Sequence, residues 1–117
     1  MYELTHHIVS LPTSQYIQEY RNPEKFISFC QQCERYNRCW ACPPFEFNTD
    51  EYLSGYQQTY IIGTKITFET ATRNSCTTLE RHKTISLQAI ESARKIIDPR
   101  LLTLEHEYPD SRAFYAG

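Results

Sequence analysis

The chain has 117 residues and a formal net charge of −2, with 12 Lys and Arg against 14 Asp and Glu. This balance argues against a dedicated nucleic-acid-binding protein, because such proteins usually carry a basic excess. No run approaches the roughly 18 apolar residues of a membrane span, and the N-terminus lacks the basic start and apolar stretch of a secretion signal. We therefore predict one cytoplasmic domain over residues 1–117, with no membrane association.

The first quarter of the chain predicts a strand followed by a short helix. Residues 4–11 form an apolar run that Pro12 closes, which favours an edge strand or an extended arm. Residues 13–20 place tyrosines and an isoleucine on one side at helical spacing, with Thr13 or Ser14 as the cap. Asn22-Pro23 then marks a turn or a helix start, and the apolar residues that follow are expected to anchor the core: Phe26, Ile27 and Phe29.

The middle of the chain predicts an irregular segment, a helix and a strand. Residues 30–49 hold four cysteines and a Pro-Pro pair, which excludes a regular helix or an internal strand. A helix capped by Thr49 or Asp50 is expected to run to about Gln58. Residues 59–70 are β-branched and aromatic and predict the best strand of the sequence, with Gly63 indicating a bulge or a close backbone approach.

The C-terminal third predicts a long amphipathic helix. Thr77 and Glu80 match a capping box, and the helix is expected over about 78–97 because apolar positions then recur every three or four residues. That stripe consists of His82, Ile85, Ser86, Ala89, Ile90, Ala93, Ile96 and Ile97. Asp98-Pro99 is expected to end or kink it, and a second helix is expected over 100–107. Residues 111–116 then read as a strand, and His106 is expected to face solvent.

Four of the five cysteines lie within thirteen residues, at Cys30, Cys33, Cys39 and Cys42. They form two Cys-x-x-Cys pairs separated by five residues and followed by Pro43-Pro44. In a reducing compartment such a cluster favours a metal or redox site over a disulfide framework. A Cys-x-x-Cys turn points both thiolates at one ion, and two such turns supply the four sulfurs of a tetrahedral zinc site. We therefore predict that these four cysteines bind a metal.

The spacing alone does not identify the metal. Zinc ribbons and fingers usually separate their pairs by a dozen or more residues, and the bacterial ferredoxin spacing is two, two and three residues. Zinc and an iron–sulfur cluster both remain candidates, with zinc favoured for this chain. Secondary candidate ligands are Cys76 and one of the adjacent His6 and His7, which would face opposite sides of a strand.

Three other functions are alternatives. A zinc site with only three protein ligands and a nearby Glu46 or Asp50 would favour a metal-dependent enzyme, so the sequence leaves open whether the protein is one. A thiol–disulfide redox protein is the second alternative, and an interaction module that presents a surface to a protein partner is the third. Arginines and aromatics interleave around the cysteines, but acidic residues offset the arginines, so the aromatics are interpreted as a shell that keeps the metal dry.

The cysteine segment resembles a family of uncharacterised microbial proteins described as predicted metal-binding proteins, domain of unknown function 2284. The resemblance is carried by Phe29, Cys30, Cys33, Tyr36, Trp40, Cys42, Pro43, Pro44 and Phe45. It continues through an acidic-aromatic helix, a strand, a long helix and a final strand of small and apolar residues. The resemblance implies metal binding by Cys30, Cys33 and Cys42, whereas the position of Cys39 is usually not cysteine in that family.

The resemblance also implies that the chain is an N-terminal fragment or a short form. Family members continue into a second, ferredoxin-like group of cysteines, and this sequence stops at Gly117, where that group would start. We predict an α+β fold in which a small sheet of residues 59–69, 111–116 and 4–10 packs against one long amphipathic helix, with an irregular cysteine-rich metal loop. The expected role is structural or electron-transferring, with a redox or protein partner in the second case.

Overall fold

The computed structural model describes residues 1–115, and its fold is α+β as predicted. It contains a two-stranded antiparallel sheet and five helices over that range. The strands are β1 (Tyr2–Pro12) and β2 (Gln58–Phe68), and the helices are α1 (Thr13–Tyr20), α2 (Pro23–Gln31), α3 (Thr49–Ser54), α4 (Thr70–Ser75) and α5 (Leu79–Glu107). The sequence did not predict α4, which is only one and a half turns long and has no apolar periodicity.

Two backbone hydrogen bonds fix the register of β1 and β2. The Thr13 amide donates to the Gln57 carbonyl at 3.0 Å, and the Glu69 amide donates to the Met1 carbonyl at 3.1 Å. The numbers of paired residues therefore add up to 70 at both ends of the sheet. Because an inserted residue would change that sum, the predicted bulge at Gly63 is wrong. A Cβ at Gly63 would lie 4.0 Å from the nearest carbonyl oxygen, which is ordinary contact and not a close approach.

The predicted strand at 111–116 is wrong for the residues that the structure describes. Residues 111–115 form no strand, and Ala116 and Gly117 lie outside the described residues. The Ser111 amide donates to the Tyr108 carbonyl at 2.9 Å and closes a turn. Arg112 then forms a 3.7 Å ion pair with Glu105. These contacts direct the chain back along α5.

The structure divides into two compact units, the first of which combines Met1–His7 with the chain from Gly63 onward. Helix α5 dominates this unit. Its N-cap is Thr78, whose hydroxyl accepts from the Arg81 amide at 3.2 Å. The predicted capping box is therefore wrong: the cap lies one residue later than predicted, and the Thr77 amide donates to the Ser75 carbonyl. The residue three positions after the real cap is an arginine, so no carboxylate reaches back to the cap.

Helix α5 continues through Pro99, so the predicted break into two helices is wrong. Pro99 has no N–H to donate to the preceding turn, but contacts on both sides hold the helix together. Arg94 and Asp98 form an ion pair of 3.5 Å one turn before it. The Thr103 hydroxyl donates to the Pro99 carbonyl at 3.0 Å one turn after it. Both flanking segments are therefore fixed in one helical register.

The buried stripe of α5 is narrower than predicted. Ala89 and Ala93 are buried, and a shallow cleft beside Ala89 is also lined by Met1 and by Tyr2, the first residue of β1. The start of the sheet therefore lies next to the small residues of the helix. Three residues of the predicted stripe are instead exposed: His82, Ile90 and Ile96. His106 is exposed as predicted.

Tyr115 yields a testable prediction for the first unit. Its hydroxyl is buried and has no hydrogen-bond partner among the described residues. Loss of hydration raises the pKa of this phenol, and the charges of Glu105 and Asp98 raise it further. The unfolded chain ionises near pH 10, so stability contributed by the neutral phenol should be lost as the pH rises above that value.

We expect Tyr115→Phe to leave stability unchanged or to raise it by up to about 1 kcal/mol at pH 7, because the substitution removes an unpaired buried hydroxyl. It should also weaken the alkaline loss of stability. Urea unfolding between pH 7 and pH 11 measures both effects, with exposed Tyr108→Phe as the matched control. A clear destabilisation by Tyr115→Phe at pH 7 would contradict this assignment.

The second unit comprises Ile8–Ile62 and holds the four clustered cysteines. Its buried residues in the described chain are Leu11 and Thr13. Helix α1 has the predicted bounds, but neither predicted cap is used, because the Thr13 hydroxyl bonds to the Thr59 hydroxyl at 2.8 Å. Arg21 ties the end of α1 to α3, with Nε donating to Asp50 at 3.0 Å and Nη2 donating to Thr49 at 3.0 Å.

The predicted core anchors of the second unit are exposed. Phe26, Ile27 and Phe29 all lie on α2, and no residue of that helix is buried. The prediction rested on their apolar character, but no other element of the described chain covers α2. The two phenyl rings contact each other with centroids 6.0 Å apart, and the Lys25 amine lies 5.4 Å above the Phe26 ring.

Candidate metal centre

Helix α2 places Cys30, the first of the clustered cysteines, in its last turn. The helix begins at Pro23, and the Asn22 side chain caps it by accepting from the Lys25 amide at 3.1 Å. This confirms the predicted helix start, because proline at the first position loses no hydrogen bond and asparagine is a preferred cap. The helix ends at Gln31, so Cys33 already lies in irregular chain.

Each Cys-x-x-Cys pair is closed by the same backbone hydrogen bond. The Cys33 amide donates to the Cys30 carbonyl at 3.0 Å, and the Cys42 amide donates to the Cys39 carbonyl at 3.0 Å. A bond between residues three apart defines a tight turn. The turn geometry that the spacing predicts for both pairs is therefore present.

The five-residue link between the pairs folds back through Asn37. This residue has a φ of 59°, a left-handed conformation that asparagine tolerates better than most residues. Its amide donates to the Pro43 carbonyl at 2.8 Å, which ties the middle of the link to the residue after Cys42. Asn37 was not among the residues predicted to matter. An asparagine in the middle of a short link is the feature that could have indicated a left-handed turn residue.

The thiol of Cys42 interacts with two other cysteines of the cluster. Partial loss of hydration raises the pKa of Cys42, and a side-chain hydrogen bond with Cys39 raises it further. The proximity of Cys33 also raises this pKa, whereas the positive charge of Arg35 lowers it. Lost hydration and the neighbouring thiols therefore favour the neutral form of the Cys42 thiol.

Cys30, Cys39 and Cys42 are half-buried, Cys33 is exposed, and all four are free thiols. Within residues 1–115 no group of three or more His, Cys, Asp or Glu side chains lies in an arrangement that would hold a metal ion. The chemistry of the donor atoms suits a soft metal. The cysteines of the two turns supply thiols, and their deprotonated thiolate forms favour zinc and iron–sulfur clusters.

The aromatic residues next to the cysteines do not form the predicted shell. Trp40, between Cys39 and Cys42, is 88% exposed. Phe45 and Phe47 contact each other with centroids 5.6 Å apart, and Phe47 contacts Tyr52 of α3 at the same distance. These rings connect the end of the cysteine segment to α3 and remain largely exposed themselves.

The other candidate ligands have separate contacts. The Cys76 thiol donates to the Thr72 carbonyl at 3.4 Å in the first unit. His6 Nδ1 lies 2.9 Å from the Thr64 hydroxyl across the sheet, also in the first unit, and His7 is exposed. Asp50 pairs with Arg21, while Glu46 is exposed near the cysteines in sequence.

No helix in the described part of the chain combines the length and the apolar character needed to cross a membrane. Comparison of the chain with curated proteins and with solved structures gave no match. A family model does match, with the description predicted metal-binding protein (DUF2284), and it covers residues 16–116. The matched region contains all five cysteines of the chain. The protein therefore belongs to the DUF2284 family of predicted metal-binding proteins.

Proposed function

We propose that Cys30, Cys33, Cys39 and Cys42 together bind one metal centre. The observation that carries this proposal is that both Cys-x-x-Cys pairs form turns, each closed by a 3.0 Å backbone hydrogen bond. Such turns direct two sulfur atoms to the same side of the chain, and four thiolates complete a closed tetrahedral site. Membership of a family of predicted metal-binding proteins supports the same conclusion.

The Asn37–Pro43 hydrogen bond supports a shared site over two separate ones. It returns the link between the turns to the end of the second turn. The pKa of the Cys42 thiol is raised by Cys33 of the first pair as well as by Cys39, which supports the proposal that both pairs contribute to one site.

Zinc is the proposed metal, in a structural role in the cytoplasm. Four thiolates without an open position hold zinc as a structural ion, and the metal binding energy then contributes directly to folding. Free thiols at all five cysteines are compatible with a reducing compartment. An iron–sulfur cluster bound by the same four cysteines would instead serve in electron transfer, and the protein would then require a redox partner.

One contact weighs against a metal-dependent enzyme with an open zinc site. The Asp50 carboxylate, a candidate base for an open zinc site, is engaged by Arg21 at 3.0 Å. The closed four-thiolate site, which needs no such base, therefore remains the preferred function over an open zinc site.

Anaerobic purification followed by elemental analysis and a visible spectrum tests the proposal. We expect a colourless protein with one zinc per chain and with four thiols protected from alkylation until the zinc is removed. The Cys76 thiol should react in both states, which provides an internal control. A metal-free protein with five reactive thiols would contradict metal binding. A brown protein that contains iron and sulfide would contradict zinc and would show that the site holds an iron–sulfur cluster.

A further inference from the structure

Both strands of the sheet have a free edge. Within residues 1–115 the sheet consists of β1 and β2 only. Two-stranded ribbons are marginally stable in water, and they gain stability from further strands or from packing against a helix. The outer edge of β2 is therefore open to pairing with a further strand.

The register shows which backbone groups point outward along β2. The residues that exchange hydrogen bonds with β1 have odd numbers, as in the Thr13–Gln57 pair. In an antiparallel pair the alternate residues direct their N–H and C=O groups away from the partner strand. In the second unit these outward residues of β2 include Tyr60 and Ile62, while Ile61 points its backbone groups toward β1.

This edge has none of the features that keep edge strands apart. Natural edges are usually blocked by charged residues, proline or a bulge, but Gln58–Ile62 contains no charge and no proline. The opposite segment of β1 in the second unit, Ile8–Pro12, is also uncharged. The register pairs Ile8 with Ile62 on one face and Val9 with Ile61 on the other, and all four side chains are exposed.

The exposed area of the chain is large enough for a stable dimer. The accessible surface is 9772 Å², whereas a compact monomer of 13.9 kDa exposes about 6,700 Å². Two separately compact bodies of half that mass would together expose about 8,000 Å². The surplus over even this larger value is about 1,700 Å², roughly twice the ~800 Å² that each partner contributes to a standard interface.

From the open edge, its uncharged sequence and this surplus area, we infer that β2 pairs with β2 of a second copy of the chain at Gln58–Ile62. The two copies are related by a two-fold axis, so the same segment serves on both sides. Antiparallel pairing satisfies the outward N–H and C=O groups of Tyr60 and Ile62. The product is a four-stranded sheet with strand order β1-β2-β2-β1. On each face of this sheet, an exposed apolar pair of one copy lies near the same pair of the other copy.

Sedimentation equilibrium of the metal-loaded protein at several concentrations tests the association. We expect a species of twice the 13.9 kDa chain mass. Ile62→Lys places two ammonium groups near the two-fold axis and should raise the dimer Kd at least 100-fold. Ile90→Lys on α5 is the matched control, because the exposures are similar, 46% for Ile90 and 37% for Ile62, and it should leave Kd unchanged.

Amide hydrogen exchange on the unsubstituted protein tests the strand edge without relying on a variant. The Tyr60 and Ile62 amides should be protected at high concentration and should exchange faster on dilution. The Ile61 amide, which points to β1, should stay protected at both concentrations. A monomer throughout, a dimer whose Kd is insensitive to Ile62→Lys, or unprotected Tyr60 and Ile62 amides in a dimer would each overturn the inference.

Discussion

Replacing Cys42 by serine is expected to remove most of the bound metal from the protein. The substitution takes one of the four proposed thiolates away, and a serine hydroxyl is a poor ligand for a soft ion. Loss of a group that only orients a ligand already costs about 10- to 100-fold in metal affinity. Loss of the ligand itself should therefore cost more than 100-fold, measured by competition against a chromophoric chelator.

Cys76→Ser is the matched control for this experiment. Its thiol donates to the Thr72 carbonyl, a bond that a serine hydroxyl can also make, and it lies in the first unit. We expect one metal per chain and an unchanged affinity in this variant. Equal metal content in Cys42→Ser and in the unsubstituted protein would contradict the proposed ligand set.

Cys39→Ser separates the four-thiolate site from a three-thiolate one. The family resemblance implies Cys30, Cys33 and Cys42 only, whereas Cys39 lies three residues before Cys42 in the second turn and raises the pKa of its thiol. A closed site predicts a loss as large as that of Cys42→Ser. Full retention of metal would leave three ligands and would favour an open site.

Regular elements were predictable where local pattern and packing agree. The β-branched run at 59–70 became β2, and the periodic apolar residues of 78–97 became most of α5. The helix start at Asn22-Pro23 was also predictable, because an asparagine cap and a first-turn proline act through the nearest backbone alone. These features depend on a few neighbouring residues.

The errors concern features that depend on the surroundings. Proline at position 99 usually breaks a helix, but the ion pair before it and the Thr103 hydroxyl after it keep α5 continuous. Phe26 and Phe29 are apolar and were therefore expected in a core, yet nothing in the described chain covers α2. Sequence pattern gives the apolar residues but not the element that covers them.

The structure of the cysteine segment was predictable only in part. The spacing of Cys30, Cys33, Cys39 and Cys42 predicted two turns, and both turns are present. The return of the link through Asn37 depends on a single left-handed residue, which no periodicity reveals. The role of the four cysteines as metal ligands stays a prediction, because within residues 1–115 no group of three or more His, Cys, Asp or Glu side chains is arranged to hold an ion.

Removal of the metal is expected to lower the thermal stability of the second unit strongly. The buried residues described in this unit are Leu11 and Thr13, so apolar burial contributes little to holding residues 30–48 in place. A ligand that binds only the folded state at 1,000 times its Kd stabilises it by about 4 kcal/mol. For a domain of this size that corresponds to a decrease in Tm of about 15 °C or more on metal removal.

Calorimetry before and after treatment with a chelator under reducing conditions measures this decrease, and elemental analysis confirms that the metal has left. The same treatment should change the Tm of Cys42→Ser far less, because that variant has already lost most of its metal. Hydrogen exchange should quicken first at the amides of Cys33, Asn37 and Cys42, because their hydrogen bonds form the two turns and the link. An unchanged Tm in a protein shown to be metal-free would mean that the turns are stable alone, and the centre would then serve chemistry instead of folding.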